Sequence, residues 1–177
     1  MNNYTDKNLL NAVGLSYGEL SLKGKNRGQF EKKLRNKINK VLKGFEYQLF
    51  DDLSKLYVFI NPENLDEITD KLKKVFGIVG LNQSAKVERN DEFIKEEVLE
   101  FANYAYEQGA RTFKIKVNRS NKEFEKKSMD YARELGAYVL VNSPFEKVKM
   151  KDPDVMINVD IRKNVYIYTD RIKTYGG

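Results

Sequence analysis

The order in which hydrophobic periodicities follow one another in the first half of the chain constrains its fold more than any other feature. Apolar residues at positions 30, 34 and 38 recur every four residues, as on the buried face of a helix, whereas residues 56–60 are apolar throughout, as in a strand buried on both faces. The elements predicted in this way are a strand over 12–17, a helix over 28–43, strands over 45–50 and 55–60, a helix over 65–76 and a strand over 78–87. This β-α-β-β-α-β order is the ferredoxin-like pattern.

The second half of the chain predicts a separate α/β unit that begins between Val87 and Asp91. Asn90 or Asp91 is suited to cap the first helix of this unit, because both side chains accept hydrogen bonds from exposed backbone amides. The predicted elements are a helix over 92–108, a strand over 112–117, a helix over 128–142 and strands over 158–161 and 164–168. The expected fold class is therefore α+β, with a ferredoxin-like domain followed by an α/β domain that has a mixed sheet.

Positive charge is concentrated between Lys23 and Lys43. These 21 residues contain nine Lys or Arg and one acidic residue, Glu31, for a net charge of +8, whereas the whole chain carries +6. Charge of one sign on one element is typical of a nucleic-acid-binding surface, and a basic helix face that only meets solvent gives the same pattern. The loop before the helix supplies the first candidate RNA-binding residues, which are Lys23, Lys25, Asn26 and Arg27.

A second group of candidate RNA-binding residues accompanies the strand over 112–117, whose alternation predicts Phe113, Ile115 and Val117 facing inward and Lys114 and Lys116 facing outward. Side chains near the C-terminal end of a strand often line a binding crevice in α/β sheets, and an arginine there is able to pair with a phosphate or stack on a base. Ordinary exposed lysines are the competing interpretation. Tyr17 and Phe124 are candidate stacking rings beside the two basic loops, and both also fit structural roles. The second group is Lys114, Lys116, Arg119, Ser120 and Lys122.

Composition excludes several kinds of chemistry from this chain. It contains no Cys and no His, so disulfides, thiolate metal sites, persulfide chemistry and the usual general base are absent, and only a carboxylate-based active site stays open. No apolar run is long enough to span a membrane, the N-terminus lacks a signal sequence, and no G-x-x-x-x-G-K-[ST] phosphate loop occurs. The acidic pairs at 51–52 and at 152 and 154 fit turns. We therefore predict a cytoplasmic protein with no catalytic residues and no metal site in this chain.

Four short motifs occur in order along the sequence, and a fifth segment closes it. They are Tyr17–Arg27, Val75–Ile78, Thr112–Ser120 and Val159–Arg162, followed by the tail from Tyr168 to Gly177. Together they resemble the N-terminal part of the tRNA 4-thiouridine synthases of the ThiI family, and the resemblance covers essentially the whole chain. It implies an N-terminal ferredoxin-like domain over 1–87, a THUMP RNA-binding domain over 88–171, and a linker over 172–177 that leads to a PP-loop catalytic domain outside this chain.

In that family the THUMP region holds the acceptor end of tRNA, including its single-stranded CCA terminus. The catalytic domain then uses ATP and Mg²⁺ to adenylate a uridine, and a cysteine desulfurase-type donor supplies the sulfur. The resemblance further implies formation of 4-thiouridine at position 8 of tRNA, a role in thiamine biosynthesis, and a homodimer as one option for the full-length protein. This chain has no nucleotide loop, catalytic cysteine or rhodanese segment, so it is expected to bind no cofactor itself.

The function that carries over is substrate capture. The second group of candidates is expected to contact the tRNA 3′ end, and the first group to lie near the acceptor stem or at the seam between domains. Three alternatives stay open: the RNA-holding module of a different modifying enzyme such as a methyltransferase or deaminase, a stand-alone RNA-binding protein, and a basic module that binds sulfur carriers. Affinity for tRNA separates the last alternative from the others.

Overall fold

The computed structural model describes residues 3–17 and 27–175, apart from the side chain of Arg27. The helices in these ranges are α1 (Arg27–Val41), α2 (Leu65–Lys73), α3 (Asp91–Glu107) and α4 (Ser128–Asn142). The strands are β1 (Ala12–Tyr17), β2 (Tyr47–Asp52), β3 (Lys55–Ile60), β4 (Ile78–Glu88), β5 (Thr112–Arg119), β6 (Lys147–Val148), β7 (Val155–Ile161), β8 (Asn164–Tyr168) and β9 (Arg171–Lys173).

The chain divides into two compact units. Among the described residues, the N-terminal unit comprises those within Asn11–Gln83 and residues 170–175, and the C-terminal unit comprises Ser84–Thr169 and residues 3–10. The sequence-based division placed the first ten residues with the ferredoxin-like domain. The structure groups them with the C-terminal unit, in which the hydroxyl groups of Thr5 and Thr169 form a hydrogen bond.

The N-terminal unit confirms the predicted ferredoxin-like order. Its strands lie in the order β2-β3-β1-β4, and β3 pairs antiparallel with both β1 and β2. Leu34, Ile38 and Leu42 of the first helical segment are buried, as the four-residue spacing predicted, and each such side chain contributes about 1.5–3 kcal/mol of burial. The short strand β9, which pairs with β4, was not predicted because its three residues carry no clear periodicity.

The C-terminal unit has the predicted mixed sheet. Its strands lie in the order β4-β8-β7-β5-β6, with β5 parallel to β6 and β7, and with β8 antiparallel to β4 and β7. Phe113 of β5 is buried, and its ring centroid lies 4.9 Å from that of Phe145, which in turn packs edge-on against Tyr106 at 5.2 Å. This aromatic group anchors the N-terminal end of β5, the strand that carries the second group of candidate residues.

Helix α3 (Asp91–Glu107) begins and ends one residue earlier than the predicted helix over 92–108, with the predicted cap and stop residues on either side. The Asn90 side chain accepts hydrogen bonds from the backbone N–H groups of Glu92 and Phe93, which are otherwise unpaired at a helix start. Gly109 follows the helix with φ +111°, a conformation that glycine adopts at little cost. Among the described residues, no helix is long and apolar enough to cross a membrane.

We predict that Glu97 of α3 makes stability fall as pH rises. Burial raises the pKa of Glu97 to about 7, and the charges of Glu100 and Glu96 add to the effect. The unfolded chain releases this proton near its ordinary pKa of about 4.3, so stability declines between roughly pH 4.3 and 7 and stays at the lower level above. Glu97→Gln should therefore raise the free energy of unfolding by about 1–2 kcal/mol at pH 8, after allowance for solvation of a half-buried group.

Urea titrations at pH 4.5 and pH 8 measure this effect. The two proteins should differ far less at pH 4.5, where the native carboxyl is already protonated. The matched control is Glu146→Gln, which removes an exposed carboxylate from a loop of the same unit. An equal change at both pH values, or an equal change in the control, would contradict the assignment.

Candidate nucleic-acid interface

The structure describes no side chain of the first candidate group. Lys23, Lys25 and Asn26 lie outside the described residues, and Arg27 begins α1 without a described side chain. Tyr17, the stacking candidate beside them, is packed: its ring meets the Phe30 ring edge-on with centroids 5.8 Å apart. Burial, reinforced by the charge of Glu31, raises the pKa of Tyr17 well above its usual range, so its hydroxyl stays protonated.

Two residues of the second candidate group, Lys114 and Lys116, line a groove of about 600 Å³ between β5 and α4, whereas Arg119, Ser120 and Lys122 are not among its lining residues. Alternation along β5 buries Ile115 and Val117 and leaves Lys114 half-buried and Lys116 exposed, which confirms the predicted strand faces. On α4 the small residues Ala132, Gly136 and Ala137 line the groove, and their size leaves the space open. Its remaining lining residues are Ser128, Met129, Arg133, Leu140, Val148 and Met150.

The groove combines an apolar interior with basic side chains. Met129 and Met150 are 71% and 68% exposed, an unusual placement for apolar side chains unless a partner covers them. Methionine adapts its shape to flat or irregular surfaces, and lysine ammonium groups pair with phosphate. A ligand with flat, weakly polar faces and negative charge fits this lining, which is the chemistry of an unpaired nucleotide.

The Arg119 side chain is hydrogen-bonded to the backbone of the loop that follows β5. Its Nη1 donates hydrogen bonds to the carbonyl oxygens of Phe124 and Lys126, at 3.1 and 3.2 Å. The sequence predicts a phosphate or base contact for this guanidinium, which stays a prediction. The structure shows that the guanidinium shapes the segment over 120–127, here called the β5–α4 loop. Ser120 and Lys122 are exposed on that loop.

Asn121 fixes the start of the β5–α4 loop against the end of β7. The backbone N–H groups of Ser120 and Asn121 both donate to the Ile161 carbonyl oxygen, at 2.9 and 3.0 Å. The Asn121 side chain donates to the Arg162 carbonyl oxygen at 3.2 Å and accepts from the Glu123 N–H at 2.9 Å. The loop is therefore ordered by its own polar groups.

An ion-pair cluster supports the other end of the β5–α4 loop. Lys126 Nζ lies 2.7 Å from Glu134 Oε2, and Lys95 Nζ lies 3.1 Å from the same atom and 2.9 Å from Asp91 Oδ2. Tyr131 donates its hydroxyl hydrogen bond to Asp91 Oδ1 at 2.8 Å. The hydrogen bond from Lys126 holds the pKa of Glu134 below its usual range. Lys126 therefore pairs with acids in the structure and supports the loop.

The ring of Phe124 is also committed to packing. Its centroid lies 5.1 Å from that of Tyr131, which is fully buried. Phe124 is half-buried in this contact, so its structural role, one of the two interpretations of the sequence, accounts for its position. Sequence reasoning missed the supporting cluster, because its members come from α3, α4 and the loop and share no spacing along the chain.

The acidic residues before β7 act as turn and cap groups. Asp154 Oδ2 accepts from the backbone N–H groups of Arg111 and Thr112 at 2.8 and 3.1 Å, and these bonds lower the pKa of Asp154. Within residues 3–17 and 27–175, no group of three acidic side chains is placed to hold a metal ion. The sequence contains no G-x-x-x-x-G-K-[ST] nucleotide loop.

Comparison with known proteins yields two domain families and a set of full-length relatives. Residues 13–82 match the ThiI ferredoxin-like domain, and residues 88–170 match the THUMP domain. A probable tRNA sulfurtransferase of Finegoldia magna is 39% identical over 168 residues, which cover 93% of this chain and 43% of the relative. One from Clostridium kluyveri is 39% identical over 159 residues, covering 90% and 40%. The chain thus spans about two-fifths of the length of these curated relatives.

Two solved structures share the fold over nearly the whole chain. A protein from Pyrococcus horikoshii superposes with a TM-score of 0.80 at 32% identity, covering 95% of this chain and 56% of that protein. A 4-thiouridine synthetase, solved in complex with RNA and with bound ATP, superposes with a TM-score of 0.76 at 35% identity, covering 95% and 43%.

Proposed function

Because this chain belongs to the ThiI family, with its ferredoxin-like and THUMP domains in tandem, we propose that it is the tRNA-binding part of a tRNA sulfurtransferase. The observation that carries the proposal is the groove between β5 and α4, whose apolar interior and basic border suit an unpaired nucleotide. The 4-thiouridine synthetase with the same fold was solved with RNA bound, which supports RNA as the ligand.

In this proposal the groove takes the single-stranded 3′ CCA end of tRNA. Lys114 and Lys116 neutralise its phosphates, and the methionine side chains cover the faces of its bases. The β5–α4 loop, held in shape by Arg119, presents Ser120 and Lys122 to the same single-stranded CCA end of the tRNA. Shape and backbone charge dominate over base sequence, because side chains do not reach the base edges in the deep groove of an A-form stem.

The proposal extends to the full-length protein through the family. There the chain would position a distant uridine for ATP-dependent adenylation and thiolation, giving 4-thiouridine at position 8 of tRNA in the cytoplasm. ATP and Mg²⁺ would be held outside this chain, and a cysteine desulfurase-type donor would supply sulfur. The family's thiamine role and a homodimer of the full-length protein belong to the same extension. Analysis of tRNA nucleosides from cells that lack the gene tests the modification directly.

A binding experiment on this chain tests the core of the proposal. We expect it to bind unmodified tRNA in fluorescence anisotropy, with affinity that falls steeply as salt rises, and to bind tRNA with its CCA end about tenfold more tightly than tRNA without it. Equal affinity for tRNA with and without the CCA end would contradict the placement of that end in the groove. Absence of tRNA binding would contradict the proposal.

A groove-filling variant locates the CCA contact. Ala137 lines the groove from α4 and is exposed. Ala137→Phe should therefore fill the space at little cost in stability, and it should reduce about fivefold the ratio of the affinities for tRNA with and without the CCA end. The matched control is Val141→Phe, which adds a ring to the same helix at a site that is 82% exposed and does not line the groove. Equal behaviour of the two variants would exclude the groove as the CCA site.

A further inference from the structure

The turn between α2 and β4 holds an aromatic side chain out of the N-terminal unit. Phe76 is 72% exposed, whereas its neighbours Val75 and Ile78 are buried. Gly77 follows with φ +102°, and a Cβ atom there would lie 3.2 Å from the Phe30 ring. Glycine meets both the conformational and the steric requirement, so the turn is fixed and Phe76 is directed to solvent by a defined backbone.

Helix α2 ends three residues before the predicted end, and the turn that holds Phe76 follows it. The predicted helix over 65–76 ends at Lys73, because the N–H of Lys74 bonds to the carbonyl oxygens of the preceding turn and Val75 donates to Leu72 at 3.1 Å. The structure buries Val75 and exposes Phe76. Most of the Phe76 ring is therefore accessible to a ligand.

Lysines of α1 border the same ring. Lys33, Lys37 and Lys40 are spaced i, i+4 and i+7, so they share one flank of the helix, and all three are exposed. Lys37 Nζ lies 5.2 Å from the centroid of the Phe76 ring, which places the ring beside this flank. Within Arg27–Val41 six residues are basic and one is acidic, so the surface is strongly positive.

A ring beside a row of ammonium groups has a specific chemical complement. Unpaired nucleotides offer flat bases that stack on aromatic side chains, together with regularly spaced phosphates that pair with lysines. An acidic peptide would satisfy the lysines and leave the ring exposed, whereas an apolar helix would cover the ring and bury the lysines at a cost. Of these three ligands, RNA is the one that satisfies both components.

We propose that Phe76, Lys33, Lys37 and Lys40 form a second RNA-binding surface in the N-terminal unit, on which an unpaired base stacks against the Phe76 ring. It rests on the proposed function, since both require that this chain binds RNA. It goes beyond the groove, because every residue involved lies in the other compact unit. Phosphates on either side of the stacked base contact the three lysines.

The sharpest test uses the absence of tryptophan from the chain. Phe76→Trp introduces a single tryptophan at the proposed stacking site, and base stacking should quench the tryptophan emission as RNA is added. Quenching should saturate at the concentration that saturates fluorescence anisotropy of the same tRNA, and it should persist with tRNA that lacks the CCA end. The matched control is Phe93→Trp, at a position 45% exposed on α3, whose emission should not change.

Measurements of affinity and of its salt dependence distinguish the contribution of the Phe76 ring to RNA binding from that of the three lysines. Phe76→Ala should weaken tRNA binding about fivefold with an unchanged salt slope, since it removes stacking and no charge. The triple replacement of Lys33, Lys37 and Lys40 by alanine should reduce the slope of log K against log salt by about two.

Three results would overturn the inference. Normal tRNA binding with no change in Phe76→Trp emission would leave the groove proposal intact and remove this surface. Emission that changes with protein concentration in the absence of RNA would assign the surface to a second copy of the chain. Failure of the wild-type chain to bind tRNA at all would overturn this inference together with the proposed function.

Discussion

Replacing Arg119 with alanine is expected to weaken binding of tRNA that bears its CCA end by tenfold or more, and to affect tRNA lacking that end much less. The substitution removes a positive charge from the end of β5, and it also removes both hydrogen bonds from Nη1 to the loop carbonyls. Loss of a charge-assisted hydrogen bond that orders a binding segment affects affinity both directly and through the entropy of re-ordering the loop.

A second arginine of the same unit provides a matched control for Arg119. Arg111, just before β5, also donates from Nη1 to two backbone carbonyls, those of Tyr106 and Ala110, at 2.9 and 2.8 Å. Arg111→Ala therefore removes the same charge and a similar pair of hydrogen bonds at the opposite end of the strand. Anisotropy titrations with both RNAs compare the variants, and equal losses for Arg119→Ala on the two RNAs would refute a role at the 3′ end.

Replacing Phe113 with alanine is expected to lower the free energy of unfolding of the C-terminal unit by about 3–5 kcal/mol. The ring is fully buried on β5 and packs against Phe145, so its removal leaves a cavity between the sheet and the segment after α4. Because β5 pairs with β6 and β7, this cavity weakens the strand that carries Lys114 and Lys116. Urea denaturation followed by circular dichroism measures the change.

The comparison for Phe113 is Phe93→Ala, which removes the same side chain from a position that is 45% exposed on α3. It should cost less than 1 kcal/mol, because a half-exposed ring buries less area and leaves no closed cavity. A loss for Phe113→Ala no greater than that of the control would mean that the aromatic group around Phe145 does not anchor β5.

The sequence predicted the elements whose residues pack by a regular period. The helix over 128–142 and the strand over 55–60 agree with the structure at both ends, because their buried residues repeat along the chain and polar residues bound them. The helix predicted over 65–76 was three residues too long, since apolar spacing continues through Val75 while the backbone has already turned. The two-residue strand β6 has no period to detect, and its pairing with β5 comes from tertiary contact alone.

The candidate interface was predictable in its charges and not in its shape. Alternation along β5 correctly placed Lys114 and Lys116 on the outer face. The groove depends on small residues of α4 that face β5. Small residues in a helix sequence indicate neither a buried face nor a binding site, so they gave no sign of the groove. The exposure of Phe76 was equally hidden, because a phenylalanine next to buried positions fits the core pattern until the conformation of Gly77 is known.

The shortness of β6 bears on how the C-terminal unit behaves at high concentration. An edge strand with unpaired backbone groups invites strands of other molecules, and β6 offers only two residues, Lys147 and Val148. Further lysines at 149 and 151 and a proline at 153 follow at once, and these residues oppose β-pairing through charge repulsion and a missing N–H group. This end of the sheet is therefore a poor seed for aggregation, so any pairing of two copies by strand addition would have to use another part of the molecule.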